Sequence, residues 1–133
     1  MKIVKIILLG MLFISCNIKD NSIYFNLGRK TIYTCNKLPI THLSIESEDG
    51  KDSFIFSEKF DNSGTNSFSL TNISTNYSLE NFNGPQIPSF FHLRPNQKYV
   101  IGNYSYGDAT ESKIEIRTNN LGEIVFANIT KCN

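Results

Sequence analysis

Apolar and polar positions alternate along most of this chain with a period of two, the repeat of a strand buried on one face. Ile23, Phe25 and Leu27 share one side of Ser22–Leu27, and Gly28 ends that run. Lys30–Cys35 is β-branched and aromatic, as strands prefer. Leu43 and Ile45 mark the inner face of Thr41–Glu46, and Phe54 and Phe56 that of Ser53–Glu58. Between these two lies Asp49-Gly50, which predicts a hairpin closed by a type I′ turn. Ser67–Leu70 is a short strand, and Tyr99–Tyr106, Lys113–Arg117 and Glu123–Ile129 are three more. Asn119-Asn120-Leu121-Gly122 makes a tight link between the last two. Asn72–Pro88 stays undecided, because Gly84-Pro85 and Pro88 interrupt any long element there. No stretch sustains the 3.6-residue period of an amphipathic helix.

One segment narrows the architecture. Leu93-Arg94-Pro95-Asn96-Gln97-Lys98-Tyr99 has the form L-x-P-x-x-x-Y, with Ile101 continuing its inner face. It resembles the corner of immunoglobulin-like and fibronectin type III sandwiches, where the Tyr hydroxyl bonds back to the corner backbone. The spacing suits the physics, since a corner leaves backbone carbonyls that a phenol can satisfy. The expected fold is therefore all-β, an immunoglobulin/fibronectin-III-like β-sandwich of roughly seven to nine short antiparallel strands. A small closed β-barrel is the alternative.

The first residues do not follow the strand pattern. Lys2 and Lys5 precede an apolar run from Ile6 to Ile14 that ends at Ser15-Cys16. A basic start, a short apolar run and small residues describe an export signal. The run is too short to span a bilayer, which takes about 20 apolar residues. A Cys directly after a small residue resembles the lipobox of bacterial lipoproteins, in which that Cys is acylated and becomes the new N-terminus. The expected organisation is a signal over residues 1–15, a lipidated tether over 16–21 and one domain over 22–133. Stable anchoring takes more than one acyl chain, each buried methylene contributing about 0.8 kcal/mol. Asn17 stands where an inner-membrane retention signal of such lipoproteins has Asp, so the outer membrane is the expected destination, on its periplasmic face.

Removing Lys2 and Lys5 turns a net charge of +1 slightly negative, and such a balance gives no electrostatic reason to expect nucleic acid. With Cys16 acylated, Cys35 and Cys132 remain. An exported compartment permits a bridge, and leftover thiols are unusual there. The other reading is two unpaired thiols, one in a strand and one on a tail. The chain has no Trp and is rich in Asn and Ser, residues that suit turns.

Candidate chemistry is sparse. His42 and His92 stand apart, with no His-x-His, Cys-x-x-Cys or His-Glu-x-x-His spacing to form a metal site. No Gly-x-Ser-x-Gly elbow or Gly-rich phosphate loop occurs, and Glu46 and Glu48 read as a solvated strand face. The expectation is therefore a protein that is not an enzyme, uses no cofactor or metal, and works by binding. Loops on a rigid sandwich are the usual place for contact residues. Asn103–Glu111 combines Tyr, Ser, Gly and Asn, the adaptable set of a paratope. This makes Tyr104, Tyr106, Asp108 and Glu111 candidate partner-binding residues, with Phe91 and His92 on a second, neighbouring edge. Phe90 and Phe91, read as strand neighbours, would face opposite ways.

Taken together, the parts resemble the small periplasmic immunity lipoproteins of type VI secretion. Those carry a lipobox, then a strand with a Cys, matched by Tyr33-Thr34-Cys35. A Pro or Gly turn leads into a Tyr, matched by Arg94-Pro95-Asn96-Gln97-Lys98-Tyr99. Two final strands are joined by an Asn- or Asp-rich Gly turn, matched by Ile114 to Ile124 through Asn119-Asn120-Leu121-Gly122. The resemblance covers the signal, the Cys35 region and most of the C-terminal third. It implies a tethered protein that binds and neutralises a secreted toxic effector. The family often places its second Cys just before the Pro or Gly turn, whereas this chain has Ile87-Pro88-Ser89-Phe90. A Cys35–Cys132 bridge is thus inferred from this chain alone. The competing classes are a structural or assembly lipoprotein of an envelope complex and a small glycan- or ligand-binding module.

Overall fold

In the computed structural model the described residues are 20–107 and 112–133. They form ten strands and one 3-10 turn, with no α-helix. The strands are β1 (Ile23–Asn26), β2 (Thr31–Thr34), β3 (His42–Ser47), β4 (Ser53–Glu58), β5 (Ser67–Ser69), β6 (Tyr77–Asn81), β7 (Gly84–Gln86), β8 (Lys98–Asn103), β9 (Ser112–Thr118) and β10 (Ile124–Ala127). All pair antiparallel, in a seven-stranded sheet ordered β10-β9-β8-β3-β4-β6-β7 and a three-stranded sheet ordered β1-β2-β5. This is the all-β sandwich that the alternation predicts. The strand count is ten rather than seven to nine because the undecided stretch contains the hairpin β6–β7.

The two sheets close on one core. Leu43, Ile45, Phe56, Ile101, Ile114 and Ile116 are fully buried on the inner face of the large sheet. Ile23, Phe25, Ile32 and Phe68 meet them from the small one. The outer face of the large sheet carries Ser44, Glu46, Lys98, Val100, Lys113 and Glu115 at the alternate positions. Lys98 bridges Glu48 and Glu115 there, and Arg117 pairs with Glu115. Such water-screened pairs add little to stability. Tyr77 ties the sheets together: its hydroxyl donates to the Ile40 carbonyl at 2.6 Å and accepts from the Thr65 N–H at 3.0 Å. Those two residues form an isolated bridge between the sheets.

Two local expectations need correction. The β3–β4 hairpin forms, but Gly50 alone takes a positive φ, 72°, and its N–H donates to the Ser47 carbonyl. A type I′ turn needs positive φ at both central residues. Asp49 instead accepts hydrogen bonds from Ser47 Oγ and the Lys51 N–H, which holds the loop in a longer form. Phe90 and Phe91 are not strand neighbours. Pro88–Phe90 is a 3-10 turn with Pro at its start, and Phe91 to Leu93 follow as irregular chain.

The corner at Leu93–Tyr99 is present, with its hydrogen bonding reversed from expectation. The buried Tyr99 hydroxyl accepts from the Arg94 N–H at 2.9 Å and donates to Asp52 Oδ2 at 2.8 Å. The Arg94 carbonyl is satisfied by the Thr118 hydroxyl at 2.7 Å. Arg94 also donates through Nε to Asp52 and through its terminal nitrogen to Asp49, so the corner is clamped to the β3–β4 hairpin. The Arg94 guanidinium, with Ser47 and Lys51, holds the Asp49 carboxyl well below the usual range.

Burial, aided by the hydrogen bond to Asp52, pushes the Tyr99 phenol up to about 12. A free tyrosine titrates near 10. The raised value stabilises the fold fully below about pH 10, and that contribution disappears as pH climbs through 12. An alkaline titration followed by tyrosinate absorbance is expected to show a last-ionising phenol whose step coincides with loss of β-sheet circular dichroism. Tyr99→Phe removes that step. Full ionisation near pH 10 with the sheet signal intact contradicts the assignment.

A disulfide joins Cys35, just after β2, to Cys132, with the two Cα atoms 5.7 Å apart. The bridge fastens the C-terminal segment beside β1, whose Phe25 N–H donates to the Ile129 carbonyl at 2.9 Å. Asp20 and Asn21, placed in the tether by the sequence, are tied to the sandwich. Asn36 Nδ2 donates to the Asp20 carbonyl at 2.8 Å, and Asn21 is 1% exposed.

Candidate binding surface

Of the residues expected to contact a partner, those described lie on different faces. Tyr104 lies over the outer face of the large sheet. A side chain on Gly102 would bring its Cβ within 2.6 Å of the Tyr104 ring, so the aromatic covers the place where β8 has no side chain. Laying an aromatic over a strand glycine in this way recovers packing that the glycine forgoes. Tyr106 is also committed to the fold: its hydroxyl donates to the Pro39 carbonyl at 3.1 Å and its N–H to Asn21 Oδ1 at 2.9 Å. Asn21 in turn donates to the Gly107 carbonyl and accepts from Asn103 Nδ2. Burial raises the Tyr106 phenol, with the Glu58 charge adding to the shift. Asp108, Glu111 and the lipidation candidate Cys16 lie outside the described residues.

Phe91 sits on the opposite side of that sheet. Its ring meets Phe54 edge-on at 5.0 Å and Phe56 at 5.3 Å between centroids. His92 beside it is exposed, with Nδ1 3.0 Å from the Phe90 carbonyl oxygen. His42 is exposed on β3, 3.0 Å from Ser57 Oγ.

Around Phe91 the sandwich is open. Two adjoining hollows share Leu70, Thr71 and Phe91. The first, about 460 Å³, continues over Lys30, His92, Leu93 and Leu121–Val125. The second, about 470 Å³, continues over Lys59, Ile73 and Ile87–Ser89. Large apolar side chains stand along this groove: Leu121 is 74% exposed, Ile87 59% and Val125 56%. Leu70, Phe91, Leu93 and Ile124 supply its apolar floor.

Local geometry explains why Leu121 points outward. Asn119 Oδ1 accepts from the N–H groups of Leu121 and Glu123, folding the turn before β10. Gly122 follows with φ 79°, and a Cβ there would come within 2.6 Å of the Leu93 carbonyl oxygen. Only glycine allows that close approach, which brings the turn against the Leu93 corner. Lys30, held at φ 51° between β1 and β2, donates through Nζ to the Ile124 carbonyl and so reaches across one end of the groove.

The groove lies at the pole away from the disulfide. The described chain begins at Asp20, beside Asn36 and close to Cys35 and Cys132. β1 then runs from Ile23 to Asn26, opposite Thr31, to the far pole where Lys30 reaches the groove. Sequence reasoning singled out Phe90, Phe91 and His92 but missed Lys30, Leu70, Ile87, Leu121 and Val125. The only local sign was a large apolar residue, Leu121, inside an Asn-rich turn.

Among the described residues no group of His, Cys, Asp and Glu could hold a metal ion. What the fold and surface define is a disulfide-clipped β-sandwich with an open apolar groove at one pole. No protein family, no characterised protein and no solved structure matches the chain.

Proposed function

We propose that this chain is a lipoprotein, anchored through Cys16 at the periplasmic face of the envelope, that binds and neutralises a secreted toxic effector. The observation that carries the reading is the Cys35–Cys132 bridge. Bridges of this kind persist in oxidising compartments and are rare in reducing ones, which agrees with the export signal read in residues 1–15. The immunity role itself comes from the resemblance to type VI lipoproteins. Occupying an effector's surface needs no catalysis, only an interface of roughly 800 Å² on each partner. A small-ligand binder is the second reading, favoured by a hollow of about 460 Å³, within the size range of ligand pockets.

Two measurements test the proposal. Cells lacking the chain are expected to die on contact with wild-type siblings and to survive when it is restored. Equal survival with and without it sinks the immunity role. Separately, Cys16→Ser is expected to move the protein from the membrane pellet to the soluble fraction. Continued pelleting of that variant contradicts acylation.

A further inference from the structure

We infer that the groove between β5, the Pro88–Phe90 turn and the Asn119–Gly122 turn takes an extended, acidic and apolar segment of the protein partner. The inference rests on the proposed anchored, partner-binding role and adds the surface and the chemistry of what it binds.

Three observations bear on the occupant. The first is shape and apolarity. The two hollows share a wall at Leu70, Thr71 and Phe91, and exposed Ile87, Leu121 and Val125 line the way. A contiguous apolar strip of this kind on a surface marks an interaction site. β5 ends the small sheet, with no strand neighbour on its outer side among the described residues, and Leu70 and Thr71, which follow it, line both hollows. An extended segment laid beside such an edge can hydrogen-bond to its backbone and put alternate side chains into the hollows.

The second is charge. Lys30 lines one hollow and Lys59 the other, and among the described residues neither makes an ion pair. Glu123 is the one acid lining either hollow, and its carboxylate already accepts from Asn119 Nδ2 at 3.0 Å. Two ammonium groups that flank an apolar strip, Lys30 already donating to the Ile124 carbonyl but neither facing a carboxylate in an ion pair among the described residues, favour a segment whose large apolar residues are bordered by carboxylates.

The third is orientation. With Cys16 in the leaflet, the residues between it and Asp20 reach at most about 14 Å. The disulfide pole therefore stays near the lipid, and the groove faces the aqueous space from which a soluble partner arrives. A lipid surface is the wrong occupant for a groove held on that side.

The test uses the full oxidised chain carrying Cys16→Ser, panned against phage-displayed random dodecapeptides. The recovered peptides are expected to pair large apolar residues with Asp or Glu, the acids enriched about threefold over the starting library. Synthetic copies are expected to bind about tenfold more weakly to the Ile87→Asp, Leu121→Asp double variant, whose sites are exposed and lie one in each hollow. Lys30→Glu with Lys59→Glu should remove the preference for acids and leave some affinity for apolar peptides. Glu46→Lys, on the outer face, should change nothing. Circular dichroism and the intact disulfide mass confirm that each variant is folded. Failure to recover binders, recovery without acid enrichment, or binding indifferent to the groove variants overturns the inference. So does self-association, or pelleting with phosphatidylglycerol vesicles, that Leu121→Asp abolishes. The survival assay involves no peptide, so the immunity role can fail while the groove result stands, and the reverse.

Discussion

Replacing both Cys35 and Cys132 by serine is expected to cost the folded chain about 4–5 kcal/mol, the loop-closure value for a bridge of this span. The two cysteines are 97 residues apart, so the bond restrains nearly the whole unfolded chain. Most of the effect therefore acts on the unfolded ensemble and not on contacts visible in the fold. Denaturant unfolding of the oxidised protein and the variant measures it. The variant should also show a steeper denaturant dependence, because its unfolded chain exposes more surface. A native-state component adds to this. The bridge fastens residues 128–133 beside β1, where the Ile129 carbonyl accepts from the Phe25 N–H. Hydrogen exchange at Phe25 is expected to accelerate in the variant beyond what lower global stability explains. A loss below about 1 kcal/mol, typical of an ordinary surface substitution, shows that the chain ends are held by other means.

Much of the sandwich is legible from alternation alone. Leu43 and Ile45, Phe54 and Phe56, and Ile114 and Ile116 each repeat every second residue, and each pair faces the core, Phe54 only partly covered. β6 follows the same rule at Tyr77 and Leu79, yet only those two apolar positions mark it. β7 contains Gly84-Pro85 and forms a strand because β6 pairs with it. Its place at the sheet edge is one that tolerates proline. Pairing of that sort is tertiary information that a local pattern does not carry. The Tyr99 corner was legible because its spacing reflects a short-range hydrogen bond, although the group it satisfies is an N–H. The binding surface was far less so. Tyr104 has the composition of a contact residue but fills the space over Gly102. The groove joins Lys30, Leu70, Phe91 and Leu121, residues far apart in sequence that meet only after the sheets close.

The inner aromatic cluster links the stability of the fold to the shape of that groove. Phe56 on β4 is fully buried, and its ring meets Phe68 of the small sheet at 4.9 Å and Phe91 at 5.3 Å. It thus touches both sheets and the groove wall at once. Phe56→Ala is expected to cost about 3–5 kcal/mol, since it removes transfer energy and leaves a cavity between two sheets that cannot both move in. Phe56→Leu, closer in volume, should cost under about 1.5 kcal/mol. Phe91 is only partly buried, so Phe91→Ala should cost less than Phe56→Ala. The two rings touch, and a double-mutant cycle is expected to return a coupling of about 0.5–1.5 kcal/mol. Thermal or denaturant unfolding of the four proteins decides it. Strictly additive losses, or a Phe56→Ala cost near zero, mean that the rings do not pack as described. With the coupling present, changes in the Phe56 layer reach the surface through Phe91, and core variants that remain folded should bind groove ligands more weakly without touching them.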